Sequence, residues 1–294
     1  MIGLYTMTEN HVVTDLKDPK FLQYYVREKF ASISLQIFDG FKIKHHGSWS
    51  PASRGIVYFG KGYTHIVTGL QYGSLEIFKQ IYNNSRNEPY LFIDAGYLLA
   101  KPHLTNIDTW RLRIVPNAYQ MNWISKNQND LKLLSLCVKG LYIRPRQPVH
   151  HGKCILLIPP SSEAVAQVFG LVNWEKETLE TIHKYTKRQV IIRRKGDSTP
   201  LVSHLSHTHA VVSYTSNVST DAVLNGVPAF CSKYAAAAPV CLHLEDLDRI
   251  ETPYFPNEEL RESWLISLAN NQFSLAEIVS GSAMQDVIRE MRTK

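Results

Sequence analysis

Segments that read as strand and segments that read as helix alternate along this 294-residue chain in two halves, and the chain closes on helices. That order predicts an α/β fold of two domains with C-terminal helices. Three observations carry the prediction. Tyr90–Ile93 and Cys154–Ile158 are continuous apolar runs of the length of buried parallel strands. Between them, Arg144-Pro-Arg-Gln-Pro148 reads as a linker. Beyond them, Thr208–Ser232 reads as strand, polar turn, helix, turn and strand. The domains expected are 1–145, 146–270 and a helical tail over 271–294.

Composition agrees with a folded protein. Hydrophobic residues make up 44% and charged residues 20% of the chain, the balance of a globular domain. A net charge of +6 favours a polyanionic partner such as nucleic acid, an anionic glycan or a membrane surface. The cysteines are scattered without a CxxC pair, and Cys154 and Cys231 sit in apolar runs as buried thiols would. Met1–Thr14 lacks a basic region followed by an apolar core, and no apolar run reaches the roughly 18 residues of a membrane span. The expectation is a cytoplasmic protein, in the host cytoplasm if phage-encoded.

In chain order, Ile2–Met7 reads as a first strand, Pro19–Phe30 as a helix and Ile33–Phe38 as a strand. Lys42–Ser53 reads as a loop that is basic and aromatic at once, with Lys42, Lys44, His45, His46 and Trp49. Its first reading is a solvated connection. Its second is a surface that tracks phosphates while Trp49 stacks on a base. Gly55–Gly60 reads as a strand, with Lys61–His65 as the turn at its end. Gly73–Asn83 follows as a helix. Tyr90–Ile93 then presents Asp94 at the carboxyl tip of a buried strand. Active sites of open α/β sheets gather at such tips, so Asp94 reads as a general base or as a loop acid that caps the next segment. His46 and His65 are reserve bases. Arg111–Asn117 is a further strand, with Arg111 and Arg113 on one face toward an anion, and Leu131–Val138 is an apolar helix or strand.

After the linker, Lys153–Pro160 is the clearest strand, and Trp174–Tyr185 has the spacing of an amphipathic helix. Val190–Ile192 ends in Arg193, Arg194 and Lys195, cations suited to neutralising a diphosphate. Leu201–Ser206 reads as a short helix. His204, His207 and His209 fit no standard zinc spacing, so no metal site is expected. The strand from His209 to Tyr214 leads into Thr215, Ser216, Asn217, Ser219 and Thr220, with Ser219 or Thr220 as N-cap of a helix starting near Asp221. Asn225-Gly226 signals the helix C-terminus. A Ser/Thr-rich helix start at a strand's carboxyl end is an anion site or an ordinary capped loop, and the residues alone leave both open. Glu259–Ala269 and Phe273–Val279 are helical, with Ser274–Glu277 as a capping box.

Hydrophobic strand, Ser/Thr-rich turn, helix with an acid near its start, then Gly226-Val227-Pro228 and a strand: this pattern resembles the donor-binding segment of GT-B-type glycosyltransferases. The segment Trp264–Ile278 resembles small bacterial and phage glycosyltransferase-like proteins. The resemblance implies two Rossmann-like domains with a cleft between them. It implies a nucleotide-sugar co-substrate, with a UDP-sugar expected, and neither a tightly bound cofactor nor a metal. Ser213, Tyr214, Ser216, Asn217, Ser219 and Thr220 would hold the diphosphate with Arg193, Arg194 and Lys195, and Asp221 the ribose. Asp94 would deprotonate the acceptor hydroxyl.

For the acceptor, the basic charge and the 42–53 loop favour DNA carrying a hydroxymethylated base, as in phage. Lys42, Lys44, His45, His46, Trp49, Lys61, His65, Arg111 and Arg113 would then grip it. A bacterial surface polysaccharide or lipid-linked glycan is the alternative acceptor. From another class stands a non-catalytic nucleic-acid-binding module. Oligomeric state is not legible in the sequence.

Overall fold

The computed structural model describes residues 2–5, 44–46, 64–68, 90–98, 111–138, 152–160 and 163–293. Its strands are β1 (Ile2–Tyr5), β2 (Lys44–His46), β3 (Thr64–Thr68), β4 (Tyr90–Ala95), β5 (Arg111–Pro116), β6 (Cys154–Ile158), β7 (Gln189–Ile192), β8 (Thr208–Ser213), β9 (Ala229–Cys231), β10 (Leu242–His243) and β11 (Gln272–Ser274). The helices are α1 (Leu131–Val138), α2 (Glu163–Val168), α3 (Trp174–Tyr185), α4 (Leu201–Leu205), α5 (Val218–Leu224), α6 (Glu258–Asn270), α7 (Leu275–Ser280) and α8 (Ser282–Thr293). Among the described residues no helix is long and apolar enough to cross a membrane.

The chain forms two compact units, one of Met1–Ala118 with Ala269–Lys294 and one of Tyr119–Leu268. The sequence reading draws its boundary at 145/146, beside a linker outside the described residues; the compact units change over at 118/119.

The first unit is built on a six-stranded sheet in the order β11-β5-β4-β3-β1-β2. β2, β1, β3 and β4 run parallel, whereas β5 pairs antiparallel with β4 and β11 antiparallel with β5. β2 lies within the stretch expected to be a loop. It is the sheet's edge, and basic residues such as its Lys44 are what edge strands tolerate and central strands do not. His65 lies in β3, not in a turn, within a β-branched run that favours extended backbone. The strands and helices expected over 19–38, 55–60 and 73–83 lie outside the described residues. Tyr90, Leu91 and Phe92 of β4 are almost completely buried, as the unbroken apolar run requires. The loop after β4 is latched by β11: Gln272 Oε1 accepts from the Tyr97 and Leu98 amides, both at 2.9 Å.

The second unit is an all-parallel five-stranded sheet in the order β10-β9-β8-β6-β7. Alternate residues of one strand serve opposite faces. Ile155, Leu157, Ala210 and Val212 pack against Trp174 and Ile182 of α3, together with Leu247 and Ile250. Leu156, Ile158 and Val211 pack on the other face against Leu205 at the end of α4 and Ala222 of α5. Both faces are covered, the doubly wound arrangement that continuous apolar strands demand. Residues 225–227 close α5 with a Schellman turn: Gly226 has φ 80, its amide donates to Val223 O, and Val227 donates to Ala222 O. Ser274 caps α7 and exchanges bonds with Glu277, the expected capping box.

Candidate functional site

In the parallel sheet the chain leaves β6 toward one face and β8 toward the other. The loops after these neighbouring strands therefore diverge, and ligands of doubly wound sheets bind outside the strand ends at such a switch point. Here it lies beyond Ile158 and Ser213. The residues at hand are Pro159 and Pro160 after β6 and Tyr214–Asn217 after β8.

The turn after β8 satisfies much of its own hydrogen bonding. Ser213 Oγ and Ser219 Oγ lie 2.7 Å apart, and both residues are fully buried. Thr220 is buried too, with no partner for its Oγ1. The structural N-cap is Asn217, earlier than the Ser219 or Thr220 expected, because those two side chains turn into the fold. Ser216 Oγ accepts the Val218 amide at 3.2 Å and Ser216 O the Ser219 amide at 3.1 Å. The half-buried polar residues of this segment include Tyr214, Ser216, Asn217 and Asp221. Burial pushes the Tyr214 hydroxyl up to about 12, reinforced by Tyr234 and Glu245. Its ring and that of Tyr234 flank Phe169 at centroid distances of 5.4 and 5.8 Å.

The cations expected beyond β7 stand at its carboxyl tip, where the Arg193 amide donates to Leu157 O of β6 at 2.9 Å. Arg193 also spends its guanidinium on Thr199 O at 2.7 Å and on Asp197 at 3.5 Å. Arg194 makes a forked pair with Glu175 of α3 at 2.6 and 2.7 Å, which lowers the Glu175 carboxyl and raises the guanidinium. Lys195 is exposed. His209 sits at the opposite end of β8, with Nε2 3.0 Å from Ile250 O.

In the first unit Asp94 is at the tip of β4, half-buried. Its Oδ1 accepts from the Ala95 amide at 2.8 Å and its Oδ2 from Arg113 Nη2 at 3.1 Å. Arg113 is 3% exposed, donates also to Ala95 O at 3.1 Å and lies over the Phe92 and Tyr97 rings. Arg111 is buried as well. Neither arginine offers a surface cationic face to an anion: both are buried, and Arg113 is engaged by Asp94, by Ala95 O and by the Phe92 and Tyr97 rings. Lys42, Trp49 and Lys61 lie outside the described residues; Lys44, His45 and His46 fall on β2 and His65 on β3.

Sequence reasoning missed the residues that hold the turns of the second unit together. Gln120 bridges Thr215 O and the Ala236 amide, Asn122 donates to Lys233 O, and the Trp264 indole donates to Ala236 O. The one local signal is the Ala235–Ala238 run, where small side chains leave the Ala236 peptide open to Gln120 and Trp264.

Neither protein-family models nor curated protein sequences match this chain. Among solved structures, the chain is similar to Thermosulfurimonas dismutans KpsC, beta Kdo 2,7 transferase, with a TM-score of 0.50 at 10% identity over 97% of this chain and 99% of that one. Thermosulfurimonas dismutans KpsC, beta Kdo 2,4 transferase, is matched with a TM-score of 0.44 at 12% identity over 90% and 89% of the two chains. The first likeness shows a fold of the GT-B type, the α/β architecture the sequence predicts.

Proposed function

We propose that the protein is a glycosyltransferase that moves a sugar from a nucleotide-sugar to a hydroxyl of a glycan. The observation that carries this is the switch point of the parallel sheet. It presents Tyr214, Ser216, Asn217 and Asp221 at the carboxyl end of β8, on a fold shared with a Kdo transferase. Ser216 and Asn217 are placed on the diphosphate and Asp221 on the ribose. Arg193, Arg194 and Lys195 supply positive charge where the leaving oxygen becomes negative. Ser213, Ser219 and Thr220 support the turn from within the fold rather than touching the donor.

In the reaction the acceptor oxygen bonds to the anomeric carbon as the bond to the phosphate oxygen breaks. The hydroxyl proton passes to a base, for which Asp94 is our candidate, and the nucleotide departs with the bonding electrons. The acceptor we propose is a bacterial surface polysaccharide or lipid-linked glycan, in keeping with the sugar named for the structural neighbour. DNA has less behind it: of the side chains assigned to grip it, the two described arginines are buried.

The test is thermal shift against a panel of nucleotides and nucleotide-sugars, followed by transfer to glycan acceptors. Ligand at a hundred times its dissociation constant stabilises by about 2.7 kcal/mol. A shift with one nucleotide, weakened in a Ser216→Ala, Asn217→Ala double variant, is the expected result. Duplex DNA binding without any nucleotide shift would replace this reading with a non-catalytic nucleic-acid-binding module.

A further inference from the structure

We propose that Gln120 is a positioning residue of the donor site, one side-chain amide that sets the spacing between the turns after β8 and β9. The proposal rests on the nucleotide-sugar reading of that edge. Gln120 is 3% exposed. Its Nε2 donates to Thr215 O at 2.8 Å, and its Oε1 accepts from the Ala236 amide at 2.7 Å. The same Nε2 lies 3.5 Å from Asn217 Oδ1, so the amide also bears on the side chain assigned to the diphosphate. Both ends of the amide are thus engaged with backbone of two loops that follow adjacent parallel strands.

Each loop is held from a second direction. Ser232 of the turn after β9 donates its amide to Tyr214 O at 3.0 Å. Trp264, fully buried, donates its indole N–H to Ala236 O at 2.8 Å, and Asn122 donates to Lys233 O at 2.6 Å. The Ala236 peptide is therefore gripped at its N–H by Gln120 and at its carbonyl by Trp264. Gln120 precedes β6 and lies outside the strand–helix repeat that builds the sheet. The strand pairs β6–β8 and β8–β9 form through their own backbone bonds without it. What it does determine is where the Thr215 carbonyl stands relative to the next turn. Ser216 and Asn217 follow directly, and a site that must meet a diphosphate loses affinity when its donors drift by an ångström.

The test compares three variants by melting temperature and by calorimetric titration with UDP, CMP and GDP. Gln120→Met fills the same volume and removes both bonds. Gln120→Glu keeps an acceptor for the Ala236 amide but, ionised, cannot donate to Thr215 O. Thr186→Val removes the bond from the buried Thr186 hydroxyl to Glu251, ahead of β7 at the amino end of the sheet, and reports a stability loss remote from the site. The expected result is one nucleotide bound by the unaltered protein, roughly tenfold or more weaker binding in Gln120→Met, and a smaller loss in Gln120→Glu. Thr186→Val should melt earlier with unchanged affinity. Equal affinity in the unaltered protein and Gln120→Met overturns the proposal, as does a failure of both Gln120 variants to fold, which would make the residue a folding element. If the unaltered protein binds none of the three, the donor reading itself has failed, before any variant is compared.

Discussion

Asp94 and Arg113 face each other across the antiparallel β4–β5 pair, carboxylate Oδ2 to guanidinium Nη2 at 3.1 Å. The candidate base of the proposed reaction is therefore also the partner of a buried cation, and the two roles are separable. Asp94 is 35% exposed, which screens the pair, so the loss on Asp94→Asn should be about 1–2 kcal/mol, below the usual figure for a buried pair. Arg113→Met, which removes the cation that lies over the Phe92 and Tyr97 rings, breaks the same pair while leaving the carboxylate in place. Urea unfolding of both variants measures stability. If Asp94 is the base, Asn lowers turnover at least a hundredfold with nucleotide affinity unchanged, whereas Arg113→Met leaves more activity. Equal activity in both would leave Asp94 a structural acid only.

Glu175 holds the guanidinium of Arg194 in a forked pair, so in the proposed site it would compete with a phosphate. The forked pair is on the surface, so breaking it should cost stability no more than about 1 kcal/mol. Its effect on binding runs in opposite directions for the two partners. Arg194→Ala should weaken binding of the donor's nucleotide, while Glu175→Gln should release the guanidinium and tighten it. Titration calorimetry at low and moderate salt reads both. Two variants shifted the same way would show that Arg194 does not face the diphosphate.

Gln272 holds the loop that carries the chain away from Asp94. Its side chain accepts two amides, from Tyr97 and Leu98, and returns a bond to Leu98 O at 3.3 Å. Gly96 leaves the room: a Cβ there would come within 2.9 Å of Gln272 Oε1 and 3.0 Å of Arg111 Cβ. Gln272→Ala orphans two buried donors, and chemical denaturation should show a loss of about 2–3 kcal/mol. Gly96→Ala should also destabilise, by displacing the same acceptor. A Gln272→Ala protein as stable as the original would mean that water replaces the side chain.

The second unit was the more legible in sequence because its central strands, β6 and β8, are buried on both faces. Cys154–Ile158 has no polar residue to suggest another state, and the Asn225-Gly226 pair needs a left-handed residue where it stands. β2 was not legible, since Lys44-His45-His46 has no apolar face and becomes a strand only by pairing beside β1. The site divided along the same line. Ser213 and Ser219 looked like donors for a ligand, and only their burial in three dimensions shows them bonded to each other. Gln120 lies 95 residues from Thr215 and 116 from Ala236, and no local pattern encodes a bond across such distances.

Tyr214 gives the candidate site a signature in alkaline solution. Burial raises its hydroxyl to about 12, against about 10 for tyrosine in an unfolded chain. Between those values the unfolded chain has released the proton and the native protein still holds it. The unfolded state then binds fewer protons, so stability falls as pH rises through the window, having been fully present below 10. Because Tyr214 is only half-buried, the slope from this group should stay below about 1.4 kcal/mol per pH unit. Denaturant midpoints measured from neutral to alkaline pH, in the original protein and in Tyr214→Phe, isolate its share from that of the other tyrosines. The Phe variant should lose stability less steeply above pH 10, and its tyrosinate absorbance should lack one late-titrating group. A bound nucleotide that covers the Tyr214 edge should delay that ionisation further. An unaltered titration in the saturated protein would place the nucleotide away from the β8 turn.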